Sequence, residues 1–204
     1  MTKDQGQSEC AVTGRGVYNG IMPDWLKELR LLAEAEYHSR RILATLATTA
    51  LDGSPRARTV IVRGIDPAGS LVFTSSAGSE KIAQIEHNPA GEMVFWFAHE
   101  RQQYRMRGKI EMIREGDVLL AHWEELNDTG RAIFYWPPPG LPRTPGQHFP
   151  QSVASNVPPS DEFVVLRLVP AFIETLDLNE HPHCRQRWAR AKGKSGWTMV
   201  EVTP

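Results

Sequence analysis

Hydrophobic and polar residues alternate along much of the chain, in short stretches separated by turn-forming residues. Alternation with a period of two is typical of strands that bury one face, and several stretches are also rich in β-branched and aromatic residues. The pattern predicts strands over residues 42–49, 56–65, 71–75, 92–98, 102–113, 162–169, 172–178 and 197–202. We expect 92–98 to be buried on both faces, and Pro170 to separate the two strands on either side of it.

Three other stretches have the spacing of amphipathic helices. We predict a helix over residues 25–37 with Asp24 as its N-cap, and another over 115–126. A short helix over 80–87 is expected to begin after Ser79 as its N-cap and to end at Asn88-Pro89. Turns at Asp52-Gly53 and at residues 66–69 join successive strands, which favours an antiparallel barrel over a parallel sheet. The predicted fold class is therefore mainly β with a few helices.

Composition changes sharply at two places along the chain. Residues 1–20 are polar and rich in Gly, Ser, Thr and Gln, so we predict a disordered tail followed by one domain over residues 21–204. Residues 137–159 hold eight of the 15 prolines and cannot form regular structure. We predict a long loop there, and a loop of that length in a compact domain is usually functional or mobile.

Charge and composition exclude several classes of protein. The formal net charge is −1, which gives no field that would favour nucleic acid or an acidic membrane. No apolar run approaches the roughly 18 residues of a membrane span, and the N-terminal residues lack a signal-peptide core. The two cysteines do not define a disulfide framework, and His181-Pro182-His183 lacks metal-site spacing. We therefore expect a cytoplasmic protein without a metal site.

Cationic side chains are concentrated in three segments that could hold an anion. Arg56, Arg58 and Arg63 lie on one predicted strand, where each needs an anion or solvent. The segment 73–81 ends a strand in hydroxyl residues and begins a helix near Lys81, which suits a phosphate. In 101–108, Gln103 lies on one face with two arginines, and its amide could pair with an imide edge. The alternative for each segment is an ordinary solvated surface.

These segments together resemble the pyridoxamine 5'-phosphate oxidase family over residues 25–204. The family's Pro-x-x-Arg-x-Val strand corresponds to Pro55-Arg56-Ala57-Arg58-Thr59-Val60-Ile61-Val62-Arg63-Gly64. Its hydroxyl-rich turn corresponds to Phe73-Thr74-Ser75-Ser76-Ala77-Gly78-Ser79-Glu80-Lys81, and Asn88-Pro89 precedes an aromatic strand as in the family. Its Arg-Gln-Val-Arg strand corresponds to Gln102-Gln103-Tyr104-Arg105-Met106-Arg107-Gly108.

The resemblance implies a split β-barrel that binds flavin mononucleotide (FMN) at the interface of a two-fold homodimer. Arg58 and Lys81 would then hold the phosphate, and Gln103 would reach the pyrimidine edge from the partner subunit. Arg63 stands where the family has a lysine near the flavin, and Arg187 would reach the polar edge of the ring. The full candidate set for cofactor binding is Arg58, Thr59, Val60, Ile61, Arg63, Thr74, Ser75, Ser79, Lys81, Gln103, Arg105 and Arg187, with the backbone of residues 59–61 facing the ring.

The chain also departs from the family pattern. Glu80 stands where the family has a second arginine beside the phosphate, so it must point away or be compensated. The motif that holds the vitamin substrate's phosphate is missing, and residues 131–139, which include Phe134, Tyr135 and Trp136, stand in its place. The resemblance is therefore to a divergent branch, for which pyridoxamine phosphate should be a poor substrate.

Three functional hypotheses follow from the resemblance. The first is an FMN-dependent oxidoreductase that acts on a small molecule whose identity the sequence does not give. The second is a non-catalytic flavin carrier or sensor, and the third is a haem-binding split barrel with a histidine on the iron. The residues themselves support no hydrolase, because no histidine belongs to a nucleophile motif.

Overall fold

A computed structural model describes residues 23–38, 41–190 and 196–204. The helices are α1 (Asp24–Tyr37), α2 (Glu80–His87), α3 (Asp117–Glu124) and α4 (Asp128–Ala132), and a 3-10 helix (Ile133–Tyr135) follows α4. The strands are β1 (Ile42–Thr49), β2 (Pro55–Ile65), β3 (Leu71–Ser76), β4 (Ala90–Phe97), β5 (Gln102–Ile113), β6 (Phe163–Asp177), β7 (Cys184–Arg190) and β8 (Trp197–Val202).

All of these strands belong to one antiparallel sheet, in the order β3-β2-β1-β4-β5-β6-β7-β8. The first part of β6 also pairs with β3, from Phe163 with Ser76 to Leu168 with Leu71, which closes six strands into a barrel. The last part of β6 leaves β3 and pairs with β7, so β7 and β8 extend the sheet beyond the barrel. This confirms the predicted antiparallel barrel.

Every second side chain along the strands points inward and fills the barrel. Phe73, Phe95, Phe97, Tyr104 and Met106 are fully buried there. The apolar stripe of α1 packs against the same core. Burial of such large side chains is the main source of stability for a domain of this size.

A second apolar cluster lies on the outer side of β3 and β6. Trp123 of α3 packs edge-on against Phe163 and Phe134, with ring centroids 5.0 and 6.2 Å away. Arg131, only 3% exposed, donates to the carbonyl oxygens of Val153 (2.9 Å) and Leu126. This buried guanidinium therefore fastens the proline-rich segment, residues 137–159, to α3 and α4.

Several predicted elements differ from the structure. The predicted strands at 162–169 and 172–178 are one strand, because the interruption at Pro170 is absorbed by a register shift opposite Gly108. β4 is buried on one face only, since Trp96 is 48% exposed. β7 was not predicted at all, because its arginines hide an alternation in which Gln186 and Trp188 face inward.

Local features also depart from expectation. Pro23 is the N-cap of α1, and Asp24 lies in its first turn, where a carboxylate still complements the helix dipole. Cys184 is disulfide-bonded, which cysteine spacing did not predict.

The predicted tail at 1–20 lies outside the described residues. Over the described ranges, no helix is both long and apolar enough to span a membrane, and no group of His, Cys, Asp or Glu is placed to hold a metal.

Candidate functional site

Arg58 lies on the side of β2 that faces the start of α2. Its guanidinium donates to the hydroxyl of Thr48 at 2.6 Å and to the amide oxygen of Gln84 at 2.7 Å. Thr48 also donates to the same Gln84 oxygen at 2.6 Å. The two acceptors are buried and neutral, so they orient the arginine without neutralising its charge.

Lys81 lies in the first turn of α2 beside two serines. Its ammonium donates to Ser75 at 3.0 Å and to Ser79 at 2.6 Å. Ser79 is the N-cap residue by position, as predicted, but its hydroxyl caps no backbone N–H group. The hydroxyl instead accepts the hydrogen bond from Lys81. We call Arg58, Ser75, Ser79 and Lys81, with the supporting Thr48 and Gln84, the cation cluster.

Among the described residues, no carboxylate forms an ion pair with either cation of the cluster. Burial lowers the pKa of Lys81, and the positive charge of Arg58 lowers it further. Burial also lowers the pKa of Arg58, an effect that the neighbouring carboxylate of Glu80 only partly opposes. Within the part of the chain that the structure describes, neither Arg58 nor Lys81 forms a salt bridge. Two adjacent, partly desolvated cations without a counter-ion form a site for an anion.

Two acidic residues border this site. Glu80, which replaces a family arginine, is exposed. Glu162 was not predicted, and its carboxylate accepts a hydrogen bond from the backbone N–H of Gly78 at 2.9 Å and another from Ser76. It therefore fixes the turn between β3 and α2 from a position that follows the proline-rich segment in the chain.

The remaining polar candidates lie on the outer face of the sheet. Cross-strand pairing places Thr59, Thr45, Val94, Arg105, Glu174, Arg187 and Val200 in one continuous row over seven strands. Gln103 is on the same face, two residues along β5 from Arg105, and Ile61 is two residues along β2 from Thr59. Because side chains alternate between faces, this group points away from the barrel core.

Glu174 is the centre of a charged network on this face. Only 4% exposed, it accepts hydrogen bonds from Arg105 (3.0 Å), Arg185 (2.8 Å) and Arg187 (2.6 Å). Burial acts to raise the pKa of Glu174, but the hydrogen bonds from Arg185 and Arg187 outweigh it and lower the pKa. Arg105 also donates to Glu92 at 2.6 Å, and the network lines a cavity of about 330 Å³.

One chain does not bring all of the predicted residues together. Gln103, Arg105 and Arg187 occupy the outer face, whereas the cation cluster lies on the opposite side of the sheet, with β1 and β4 between β2 and β5. The prediction that Gln103 acts from a partner subunit stays a prediction. Thr74 is on the opposite face of β3 from Ser75, so its side chain is not part of the cluster.

Val60 and Arg63 differ from the other β2 candidates. Val60 is 8% exposed and its side chain belongs to the barrel core, so only its backbone can meet a ligand. Arg63 lies on the outer face, and its buried Nε has no hydrogen-bond partner among the described residues. Burial lowers the pKa of Arg63, and the nearby Arg41 lowers it further. A buried donor without a partner is a group that a ligand or partner chain could satisfy.

The backbone of β2 is open beside these side chains. β2 pairs with β1 from Pro55 to Val62, but its pairing with β3 covers only Val62 to Ile65. In the described structure, no strand pairs with the other edge of β2 over residues 56–61. The free edge leaves backbone donors and acceptors available there.

Comparison with known proteins places this architecture in a family. A family model described as "Pyridoxamine 5'-phosphate oxidase, FMN-binding domain" matches residues 22–114. A crystal structure of a pyridoxamine 5'-phosphate oxidase-related, FMN-binding protein from Nostoc punctiforme is 30% identical, with a TM-score of 0.74, and the match covers 88% of this chain and 93% of that one. The chain belongs to the pyridoxamine 5'-phosphate oxidase-like FMN-binding family.

Other similar proteins extend the comparison. Pyridoxine/pyridoxamine 5'-phosphate oxidase 2 of Arabidopsis thaliana is 28% identical over 88% of this chain and 96% of its own length. PhzG from Burkholderia lata shares the fold, with a TM-score of 0.70 over 91% of this chain and 95% of that one, at 17% identity. The family model covers every residue of the cation cluster but ends at Arg114, so it includes neither the proline-rich segment nor Glu174.

Proposed function

We propose that this chain binds FMN as a homodimer and uses it as an oxidoreductase acting on a small molecule. The observation that carries the proposal is the uncompensated charge of Arg58 and Lys81, surrounded by the hydroxyls of Ser75 and Ser79. A phosphate monoester has the charge and the acceptor oxygens that such a site lacks. FMN is the phosphate ester that the family's description supplies.

The rest of the flavin would lie along the open edge of β2. Backbone groups of Thr59, Val60 and Ile61 would meet the ring system, since no strand in the described structure pairs with that edge. Arg63 lies on the outer face of the same strand, and its buried Nε is a donor that has no partner among the described residues. Bound FMN would supply two-electron redox chemistry, and the protein would bind, orient and electrostatically tune it.

A second subunit would supply the groups that one chain places on its outer face. Leu43, Trp96 and Val200 are 44%, 48% and 43% exposed on that face. Large exposed apolar side chains on one surface are typical of an interaction site. We infer that this face meets a second copy, whose Gln103 and Arg187 would then reach the pyrimidine edge of the flavin.

The absorption spectrum of the purified protein tests the proposal. We expect flavin bands, either as purified or after adding FMN and removing the excess, whereas a haem protein would show a Soret band. A colourless protein that fails to bind added FMN would contradict the proposed function. Reduction of the bound flavin by NAD(P)H, or by a substrate under anaerobic conditions, then separates an oxidoreductase from a non-catalytic carrier or sensor.

A further inference from the structure

The proline-rich segment lines an open cavity that no function so far described explains. It has a volume of about 550 Å³ and lies between the end of β3, at Ser76, and residues 133–151. Its walls are mostly apolar and are formed by Ile133, Trp136, Pro137, Pro138, Leu141 and Phe149. A mostly apolar cavity of this size with a few polar groups is typical of a small-molecule site.

The aromatic walls are held in place by the backbone of the segment. The indole Nε1 of Trp136 donates to the carbonyl oxygen of Pro150 at 2.8 Å, and the rings of Trp136 and Phe149 meet edge to face with centroids 5.6 Å apart. The amide of Gln151 donates to the Phe149 carbonyl at 2.8 Å. Prolines restrict the backbone between these contacts. The two rings therefore form a preorganised surface for a planar apolar ligand.

One cation stands at this surface. The guanidinium carbon of Arg143 lies 4.9 Å from the centroid of the Phe149 ring, and Arg143 lines the cavity. No acidic residue is among the described lining residues, and Arg143 forms no salt bridge within the described ranges. A planar guanidinium that stacks on an aromatic ring and lacks a carboxylate partner is suited to a ligand carboxylate.

The cavity lies next to the cation cluster. Ser76 forms part of its wall, and the preceding residue, Ser75, accepts a hydrogen bond from Lys81. Glu162, which follows the proline-rich segment in the chain, binds the backbone of the intervening turn at Gly78. The cavity and the cation cluster therefore border the same turn between β3 and α2, from opposite faces of β3.

We infer that this cavity binds an aromatic carboxylate, whose ring packs against Trp136 and Phe149 and whose carboxylate pairs with Arg143. Naming this ligand as the class of substrate rests on the proposed function, but its binding to the cavity does not.

Calorimetric titration with 2-naphthoate and the neutral 2-naphthamide tests the inference. We expect one 2-naphthoate bound per chain, at least about tenfold more tightly than 2-naphthamide. Arg143→Gln should weaken naphthoate binding by at least about tenfold and leave naphthamide binding unchanged, because only the carboxylate partner is lost. Lys27→Gln removes one exposed positive charge of α1 and should bind both compounds like the wild type.

Two results would overturn the inference: no binding of 2-naphthoate to the wild-type protein, or equal binding by wild type and Arg143→Gln. FMN titration of the same proteins separates this outcome from the fate of the proposed function. A protein that binds FMN but not 2-naphthoate refutes the cavity assignment alone. A protein that binds 2-naphthoate through Arg143 but not FMN supports the cavity assignment and refutes the proposed function.

Discussion

The arginines of the candidate site fall into two groups that differ in how their charge is balanced. Arg105, Arg185 and Arg187 share the carboxylate of Glu174, which orients them and offsets much of their charge. Arg58 has only neutral acceptors, and burial lowers its pKa. An anion that binds to Arg58 therefore does not have to break an existing ion pair.

Arg58→Ala is expected to weaken FMN binding by about 2 kcal/mol or more, because it removes a charge-assisted contact to the phosphate. Arg56→Ala is the matched control, since Arg56 lies two residues earlier on β2, its side chain is 46% exposed and it pairs with Asp52 at 3.9 Å. Fluorescence titration of both variants measures the effect. Equal FMN affinity in Arg58→Ala and wild type would remove Arg58 from the site.

Glu28 gives a prediction about pH and stability. Burial raises the pKa of this carboxyl, and the nearby Asp177 adds to the shift, although the Tyr104 hydroxyl acts in the opposite direction. A raised carboxyl pKa in the folded state contributes stability at low pH, and that contribution is lost as the pH rises through the folded pKa. Glu28→Gln should therefore raise the Tm by about 2 °C at pH 8 and have little effect at pH 4.

Glu124→Gln is the control for this titration, because Glu124 lies exposed on α3. Thermal unfolding followed by circular dichroism at both pH values measures the difference. An effect of Glu28→Gln that is the same at pH 4 and pH 8 would contradict the assigned pKa direction.

At the scale of helices and strands, the sequence predicted the features that depend on residues close together in the chain. Arg58, Ser79 and Lys81 were found because they belong to short contiguous motifs on β2 and at the start of α2. Thr48 and Gln84 were missed, because it is the pairing of β1 with β2 that brings Thr48 to Arg58, and the packing of α2 on the barrel that brings Gln84 there. Gln84 left a signal nonetheless, since it is a polar residue on the buried side of an amphipathic helix.

The same contrast between local pattern and long-range packing holds for β6. Glu174 is a carboxylate inside a mostly apolar strand, a pattern that should have indicated a buried ion pair. Pro170 was treated as a break because proline cannot donate a ladder hydrogen bond. Whether the strand continues depends on the partner at Gly108, which is 62 positions away in sequence and therefore invisible to a local pattern.

Gly108 is expected to be essential to this register shift. A Cβ at Gly108 would lie 1.9 Å from the carbonyl oxygen of Val169, so Gly108→Ala should destabilise the fold by about 2 kcal/mol or more. Gly64→Ala is the control, because a Cβ there meets nothing within 4 Å. Chemical denaturation compares the two variants. Equal stability of Gly108→Ala and wild type would contradict the close β5–β6 packing.

At the scale of the whole molecule, the sheet separates the candidate residues into two groups. The cation cluster lies beside α2, and the Glu174 network lies on the outer face with Gln103. Both groups can serve one flavin only if a second chain brings its outer face to the first chain's β2. Dimerisation and cofactor binding are therefore expected to fail together.

Trp96→Glu tests this coupling, because it places a charge in the centre of the proposed interface. We expect the wild type to sediment as a dimer, and Trp96→Glu to sediment as a monomer with weakened FMN binding. Leu31→Glu is the control, since Leu31 is 63% exposed on α1, away from that face. A monomeric wild-type protein that binds FMN tightly would refute the two-chain site.

The most direct measurement is a fluorescence-monitored titration of the wild-type protein with FMN and, separately, with riboflavin, which has the same ring but no phosphate. If Arg58 and Lys81 bind the phosphate, FMN should bind at least about 30-fold more tightly, which corresponds to about 2 kcal/mol. Equal affinities for the two flavins, or no binding of either, would contradict the account.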